Sequence, residues 1–505
     1  MSRSYLERIL NARVYDVARE TPLDLAPRLS ARLGNEVWLK REDLQPVFSF
    51  KVRGAFNKMS KLSPEQARRG VIAASAGNHA QGVAFAARYL GISAQLVMPR
   101  TTPPIKVEAV RAYGAEVVLH GDTYDEAAAL AAKLQSELGL VFVHPYDDPD
   151  VIAGQGTVAV EILRQHPDEI NAILVPVGGG GLISGISAYV SALRPQTRII
   201  GVEPEDAASL YQALAEGRRV ELDRVGIFAD GVSVRRVGAE PFRIVQGRVC
   251  EVLRVSTDEI CAAILDIFED TRVVAEPAGA LALAGLKKLI ERDRPSSGKF
   301  VAVVSGANIS FHRLRHISER AELGEGREVI FGATIPERPG AFREFCNAIG
   351  DHSVTEFNYR YAGPGDAHVF VGLELDQAGS DRRVLLDRLG TRGYACVDMS
   401  DNELAKLHAR HLVGGQANGL VRERLFRFEF PERPGALREF LGRMRPGWNI
   451  SLFHYRNHGA AVGRVLIGIQ VPDGSDAEFD GFLRSLGLAF QEETGNAAYR
   501  MFFGA

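Results

Sequence analysis

Lys51 is the residue of this chain best placed for nucleophilic chemistry, in the stretch S-F-K-V-R-G-A-F-N-K that begins at Ser49. Ser49 is a residue type that caps helices, so we expect Lys51 in a first helical turn, where unpaired N–H groups supply positive potential. That potential and the apolar neighbours Phe50 and Val52 disfavour the ammonium form of the lysine. The pattern predicts an amine that loses its proton readily and can form a Schiff base with an aldehyde, with Phe50 covering one face of a planar ring.

A run of four glycines supplies a candidate phosphate site. Gly178, Gly179, Gly180 and Gly181 precede Leu182 in V-P-V-G-G-G-G-L, between a predicted strand and a helix that we expect to open within the glycine run. Consecutive glycines let backbone N–H groups converge on one anion at a helix N-terminus. Because no Walker-type lysine lies nearby, the loop suits the single phosphate of a small cofactor better than a nucleoside triphosphate.

A second loop of small residues also joins a predicted strand to a predicted helix. It reads S-A-G-N-H-A-Q-G and contains Ser75, Ala76, Gly77, Asn78 and His79. Alone it could be an ordinary strand-to-helix connection. As a site, we expect its N–H groups to hold a substrate carboxylate while the Asn78 amide contacts a cofactor hydroxyl.

The segment V-S-G-A-N follows the last predicted strand of the same region and contains Ser305. Ser305 could be a turn residue, or its hydroxyl could bind a pyridine nitrogen without fully protonating it. A phosphorylated aldehyde cofactor would account for the lysine, the two loops and this serine together.

These stretches, with V-E-P-E-D from Val202, occur in an order that resembles the fold-type II pyridoxal-phosphate enzymes, and within them the threonine dehydratases. The resemblance covers roughly residues 20 to 320 and implies an α/β catalytic domain, similar to the tryptophan synthase β chain, with mostly parallel sheets. The alternation of short apolar runs with helix-like segments from about residue 70 agrees with that fold class.

The resemblance implies a role for each of these positions. Lys51 would hold pyridoxal phosphate and then remove the Cα proton of the substrate, with Ser75 as a second catalytic residue. Asn78 would bind the cofactor 3-hydroxyl, residues 178–182 the phosphate, and Ser305 the ring nitrogen; residues 75–79 would bind the substrate carboxylate. The implied reaction converts L-threonine, and also L-serine, to a 2-oxo acid and ammonia; with threonine it is the first committed step of isoleucine biosynthesis.

Two positions depart from the similar serine racemases. Those relatives carry a second serine where this chain has Ala76, so we expect poor racemisation. They also bind a divalent cation around the V-E-P segment, where Glu203 and Ala207 match but Ser209 replaces a carboxylate. Because hard cations prefer charged oxygen ligands, we expect no metal here.

An internal repeat fills the C-terminal part of the chain. A-T-I-P-E-R-P-G-A-F-R-E-F-C from Ala333 matches F-E-F-P-E-R-P-G-A-L-R-E-F-L from Phe428, and both copies predict strand, turn, helix and strand. We expect a catalytic domain over 1–320, a charged linker over 321–330, and ACT-like modules over 331–415 and 416–505.

The repeats resemble the ACT-like regulatory modules of biosynthetic threonine dehydratases. This implies feedback control by isoleucine, with valine as an opposing effector, in a homotetramer. We expect effectors at the loops Pro336–Ala341 and Pro431–Ala436. The plainer interpretation is a pair of dimerisation modules that bind nothing.

Composition excludes several other classes of protein. The net charge is −3, from 60 basic and 63 acidic residues without a basic stripe, so nucleic acid is not an expected partner. No run is long and apolar enough to span a membrane. The four cysteines are scattered, as in a reducing compartment, so we expect a cytoplasmic protein. The alternatives left open are serine racemisation or β-replacement on the same fold, or an amino-acid sensor with a decayed cofactor site.

Overall fold

The computed structural model describes residues 4–336, 341–350, 352, 354–359, 365–375, 380–411, 422–431, 440, 443–445, 448–456 and 462–502. The chain divides into two compact units, Met1–Ala321 and Glu322–Ala505.

The strands of the first unit are β1 (Leu23–Leu25), β2 (Glu36–Arg41), β3 (Val71–Ala74), β4 (Ala94–Met98), β5 (Glu116–Leu119), β6 (Val141–Phe142), β7 (Ala172–Pro176), β8 (Arg198–Pro204), β9 (Glu251–Val255) and β10 (Lys299–Val304). Its helices are α1 (Tyr5–Leu10), α2 (Pro27–Leu33), α3 (Lys51–Met59), α4 (Pro64–Arg69), α5 (Asn78–Leu90), α6 (Pro104–Ala112), α7 (Tyr124–Leu138), α8 (Pro149–Gln165), α9 (Gly181–Leu193), α10 (Ser209–Glu216), α11 (Ala239–Val245), α12 (Thr257–Thr271), α13 (Pro277–Asp293) and α14 (Arg313–Gly324), the last crossing into the second unit.

Two sheets organise the first unit. The larger has the order β1-β2-β10-β7-β8-β9, parallel except for the edge pair β1 and β2. The smaller has the order β5-β4-β3-β6 and is parallel throughout. This is the mostly parallel α/β architecture that the sequence predicts.

Strand β10 shows why these strands are almost wholly apolar. Its alternate residues enter two different cores: Phe300, Ala302 and Val304 pack on the side of α13, and Val301 and Val303 on the side of α8 and α9. Because helices cover both faces, neither set of side chains can be polar.

The strands of the second unit are β11 (Glu328–Pro336), β12 (Val354–Tyr359), β13 (Asp366–Glu374), β14 (Ala395–Asp398), β15 (Glu423–Pro431), β16 (Asn449–Arg456), β17 (Val462–Gln470) and β18 (Phe490–Glu492). Its helices among the described residues are α15 (Ala341–Ile349), α16 (Ser380–Thr391), α17 (Glu403–Leu407), α18 (Asp476–Ser485) and α19 (Ala497–Phe502).

The sequence repeat is a structural repeat. Each copy forms a four-stranded sheet, in the orders β12-β13-β11-β14 and β16-β17-β15-β18, with the described neighbours antiparallel. Both copies also shift register at the same place, between Val354 and Glu356 and between Ile450 and Leu452. The sequence predicts two strands and one helix for each copy. Each copy instead contributes four strands to an antiparallel sheet.

The charged segment that separates the two parts differs from the expected linker. Of the expected linker 321–330, residues 321–324 form the end of α14, and Glu328 already begins β11. Residues His316, Ile317, Arg320 and Ala321 are buried, so the helix has a packed face that its charged composition concealed. Of the proposed effector loops, residues 337–340 and 432–436 lie outside the described residues.

Candidate active site

The candidate residues lie where parallel strands end. Ser75 directly follows β3, Gly178 comes just after β7, and Ser305 directly follows β10. Ligands of open α/β sheets bind at the carboxyl ends of the strands, so these loops occupy the expected edge.

Backbone contacts fix Lys51 relative to the loop after β10 and to helix α5. The N–H of Phe50 donates to the carbonyl of Ser305 at 3.3 Å, and the N–H of Ala307 donates to the carbonyl of Phe48 at 2.9 Å. On the other side, a methyl group at Gly82 of α5 would lie 3.2 Å from the carbonyl carbon of Lys51. The start of α3 is thus held between the β10 loop and α5.

The Lys51 amine has few favourable partners for a positive charge. Its Nζ donates to the carbonyl of Pro145 at 3.1 Å and lies 5.2 Å from the centroid of the Phe50 ring. Burial lowers the pKa of Lys51 to about 8, and the Glu276 carboxylate only partly opposes that shift. Burial therefore makes the neutral, nucleophilic amine accessible near neutral pH.

The predicted cap at Ser49 is wrong in one respect. Helix α3 begins at Lys51, and its N-cap position is Phe50, which has helical backbone angles and makes no side-chain cap. The Ser49 hydroxyl still accepts a hydrogen bond from the Lys51 N–H, at 3.4 Å. Lys51 is in the first turn as predicted, but the burial just described dominates its pKa.

The glycine loop is closely enclosed. A methyl group at Gly179 would lie 2.1 Å from Cγ of the Tyr146 ring, and one at Gly178 would lie 2.9 Å from Cα of Val232. Gly180 has φ +90° and serves as N-cap of α9, which begins at Gly181, within the glycine run as the sequence predicts. The first N–H groups of a helix have no intrahelical acceptor, so this loop has the donors that a phosphate requires.

The loop Ser75–His79 is less open than expected. The Gly77 N–H donates to the Ser75 hydroxyl at 3.2 Å, so it is already engaged. His79 Nε2 lies 2.8 Å from the carbonyl of Val143 and must carry the proton, because a carbonyl only accepts. Burial lowers the pKa of His79 to about 3, so the imidazole is neutral. Because its imidazole is bonded to Val143, only the backbone of His79 is available to a ligand in this loop.

Glu276 is a site residue that the sequence analysis missed. It is the N-cap residue of α13, and its Oε1 accepts a hydrogen bond from Asn78 Nδ2 at 2.5 Å. Burial, and then the nearby Asp230 carboxylate, raise the pKa of Glu276 to about 7. Asp230 itself pairs with Lys106 at 2.7 Å and Arg313 at 3.3 Å. In the sequence Glu276 looks like an ordinary helix start before Pro277.

Ser305 is buried at the end of β10. Its hydroxyl donates to the carbonyl of Ala278 at 3.3 Å, which is long for an O–H···O hydrogen bond. Little energy therefore opposes rotation of this hydroxyl toward another acceptor.

The segment compared above with a cation site has its own hydrogen bonds. Glu203 is buried and accepts from the N–H groups of Leu210 at 2.9 Å and Tyr211 at 2.8 Å, at the start of α10. Burial raises the pKa of Glu203 to about 8. Ala207 and Ser209 are buried beside this helix start. Within the described residues, no cluster of three or more His, Cys, Asp or Glu could share a metal ion.

Comparison with known proteins identifies the family. The model of the family "Pyridoxal-phosphate dependent enzyme" matches residues 14–306, and that of the "C-terminal regulatory domain of Threonine dehydratase" matches 319–409 and 414–503. The biosynthetic L-threonine dehydratase of Burkholderia multivorans is 54% identical over 504 residues, covering 99% of each chain. The chain belongs to the threonine dehydratases.

Two further matches extend across distant organisms. The biosynthetic L-threonine dehydratase of Escherichia coli is 50% identical over 498 residues, covering 99% of this chain and 96% of that one. The structure of the processed form of threonine deaminase isoform 2 from Solanum lycopersicum has 50% identity and a TM-score of 0.62, covering 63% of this chain and 92% of that chain.

Pyridoxal phosphate is the cofactor of this family, and the residues present fit it. The glycine loop presents bare backbone at Gly179, where even a methyl group would collide with the Tyr146 ring, and the Lys51 amine has a pKa suited to a Schiff base. Ser305 and Asn78 add a buried hydroxyl and a primary amide.

None of the described helices is both long and apolar enough to cross a bilayer.

Proposed function

We propose that this protein converts L-threonine to 2-oxobutanoate and ammonia, and that it also accepts L-serine. The observation that carries the proposal is the buried Lys51 amine, with its pKa of about 8, held between the loop that bears Ser305 and helix α5. The near full-length similarity to threonine dehydratases supports the choice of substrate.

The roles of the residues follow from their chemistry. Residues 178–182 would hold the cofactor phosphate, Phe50 would cover its ring, Asn78 would donate to its 3-hydroxyl oxygen, and Ser305 would donate to its ring nitrogen. The loop Ser75–His79 would hold the substrate carboxylate. Because the Ser75 oxygen already accepts from Gly77, its O–H remains to donate to the substrate.

When bound, the cofactor supplies an aldehyde carbon and an electron-withdrawing ring that acidifies the Cα–H bond of an attached amino acid. Lys51 is then the base that removes the Cα proton, since its pKa near 8 lets it accept and release a proton at neutral pH. The hydroxyl on Cβ leaves as water, and hydrolysis later returns one water, so the net products are 2-oxobutanoate and ammonia.

Ala76 bears on the choice among reactions. Its methyl group cannot donate a proton, so the loop offers no hydroxyl at this position for reprotonation from the opposite face. We therefore favour elimination over racemisation.

We also propose that isoleucine inhibits the enzyme through the second unit and that valine opposes it. The match of both repeats to a threonine dehydratase regulatory domain supports an effector role. Such control needs two states with different effector affinity, and a homotetramer in the cytoplasm is our proposed form.

The decisive experiment measures 2-oxobutanoate formed from L-threonine by the purified, cofactor-loaded chain, with and without L-isoleucine, and with L-valine added to the inhibited sample. Lys51→Ala is the matched control and should lose both the visible absorption band and turnover. Turnover that isoleucine does not affect would retain the catalytic proposal and reject the regulatory one. Absence of turnover from a loaded wild-type chain would reject the dehydratase proposal.

A further inference from the structure

Three side chains from three different elements form a row beside the candidate cofactor site. Asn308 follows β10 as the last residue of S-G-A-N, Asn78 is the first residue of α5, and Glu276 caps α13. Asn308 Nδ2 donates to Asn78 Oδ1 at 2.8 Å, and Asn78 Nδ2 donates to Glu276 Oε1 at 2.5 Å.

The first member of the row sets the direction of every hydrogen bond after it. Asn308 Nδ2 also lies 2.8 Å from the backbone carbonyl of Val47, which can only accept. The amide nitrogen of Asn308, not its oxygen, must therefore face this side, and its second N–H requires an acceptor on Asn78. That acceptor is Oδ1, which leaves the Asn78 nitrogen facing Glu276.

Packing fixes the last member of the row. The Glu276 N–H donates to the carbonyl of Gly306 at 3.1 Å, and a methyl group at Gly306 would lie 2.6 Å from Glu276 Oε1. Any residue larger than glycine at position 306 would therefore displace the Glu276 carboxylate. Glu276 is only 3% exposed, so water does not compete for the hydrogen bond from Asn78.

We propose that Asn308 and Glu276 are positioning residues that hold the Asn78 amide with its nitrogen as donor, leaving one N–H for the cofactor ring oxygen. An amide nitrogen has two N–H groups, and Glu276 is the acceptor of one of them among the described residues. Without the row, the amide could rotate and present its oxygen, which would repel the ring oxygen. The inference rests on the proposed cofactor role of Asn78.

The test uses the visible absorption band of the loaded enzyme and its pH dependence, together with the cofactor Kd. Asn78→Ala and Asn308→Ala should shift the band in the same direction, and each should weaken cofactor binding by about threefold to tenfold, the value of one hydrogen bond. Because Asn308 acts through Asn78, the double variant should be no worse than Asn78→Ala alone. Asn35→Ala, which removes a buried asparagine outside the row, should leave the band unchanged.

Glu276 offers a rescue experiment. Glu276→Gln keeps an oxygen acceptor for the Asn78 N–H and should retain the wild-type band, whereas Glu276→Ala should shift it as Asn78→Ala does. A band that Asn78→Ala shifts but Asn308→Ala and Glu276→Ala do not would overturn the positioning role and leave the proposed function intact. Additive effects in the double variant would also overturn it. A wild-type chain that forms no visible band with pyridoxal phosphate would instead reject the proposed function.

Discussion

At the scale of single residues, the protonation of Lys51 is the property with the clearest consequence. Its pKa of about 8 in the folded protein lies below the ordinary value of 10.5, because the buried ammonium lacks solvation. In the cofactor-free enzyme, we expect acylation of Lys51 by acetic anhydride to rise with pH through about 8 and then level off. Mass spectrometry of the labelled peptide measures this rate.

The exposed Lys133 provides the reference in the same sample. A Lys51 labelling curve that coincides with that of Lys133 would contradict the expected burial effect. The same pKa shift makes the stability of the protein depend on pH. Between pH 8 and 10.5 Lys51 binds more protons in the unfolded chain than in the folded one, so its contribution to the free energy of unfolding rises as pH rises from about 8 to 10.5.

At the scale of elements, the start of α9 depends on the absence of side chains in the glycine loop. Gly179→Ala would place a methyl group 2.1 Å from the Tyr146 ring, so ring or loop must move. Overpacking of this kind costs about 1–3 kcal/mol, and we expect cofactor affinity to fall by about tenfold or more. The loss of visible absorbance on dialysis measures the affinity.

Two variants show whether the collision is the cause. Adding Tyr146→Ala to Gly179→Ala removes the ring and should restore part of the cofactor affinity. Gly481→Ala in α18, where a methyl group meets no atom within 4 Å, should bind cofactor as the wild type does. Unchanged affinity in Gly179→Ala would show that the loop does not hold the phosphate.

At the scale of the whole molecule, the division into two units predicts that regulation and catalysis can be separated. In the second unit, buried Arg410 bonds to Glu328 at 3.1 Å and Glu356 at 2.8 Å. Arg410→Ala would remove the ion pair of the buried Glu328 carboxylate, at a cost of about 3 kcal/mol to this unit. We expect weaker inhibition by isoleucine and nearly unchanged threonine turnover without effector, both measured by 2-oxobutanoate formation.

Arg382→Ala is the matched control, because Arg382 bonds to the exposed Asp401 at 2.7 Å. An exposed pair contributes about 0–1 kcal/mol, so its loss should leave both turnover and inhibition unchanged. Loss of turnover in Arg410→Ala, with cofactor still bound, would contradict the separation of the two functions.

Several features of this protein were determined by local sequence. Parallel strands, the small-residue loops at strand ends and the duplicated C-terminal module were all predicted. These features depend on short-range rules: the period of apolar residues, the conformational freedom of glycine and the repetition of a pattern. A nucleophilic Lys51 was also predicted, because its neighbours in the chain are apolar.

Other features were decided only by the tertiary structure. Glu276 meets Asn78 across 198 positions of sequence, and no local pattern distinguishes it from another helix-capping glutamate. Phe50, not Ser49, is the N-cap of α3, and its N–H bonds to the carbonyl of Ser305 in the β10 loop. The charged residues 316–324 are helical because one face of their helix is buried. Local sequence restricts backbone conformation, whereas the partners of a buried polar side chain depend on which elements pack together, and that is settled only by the folded chain.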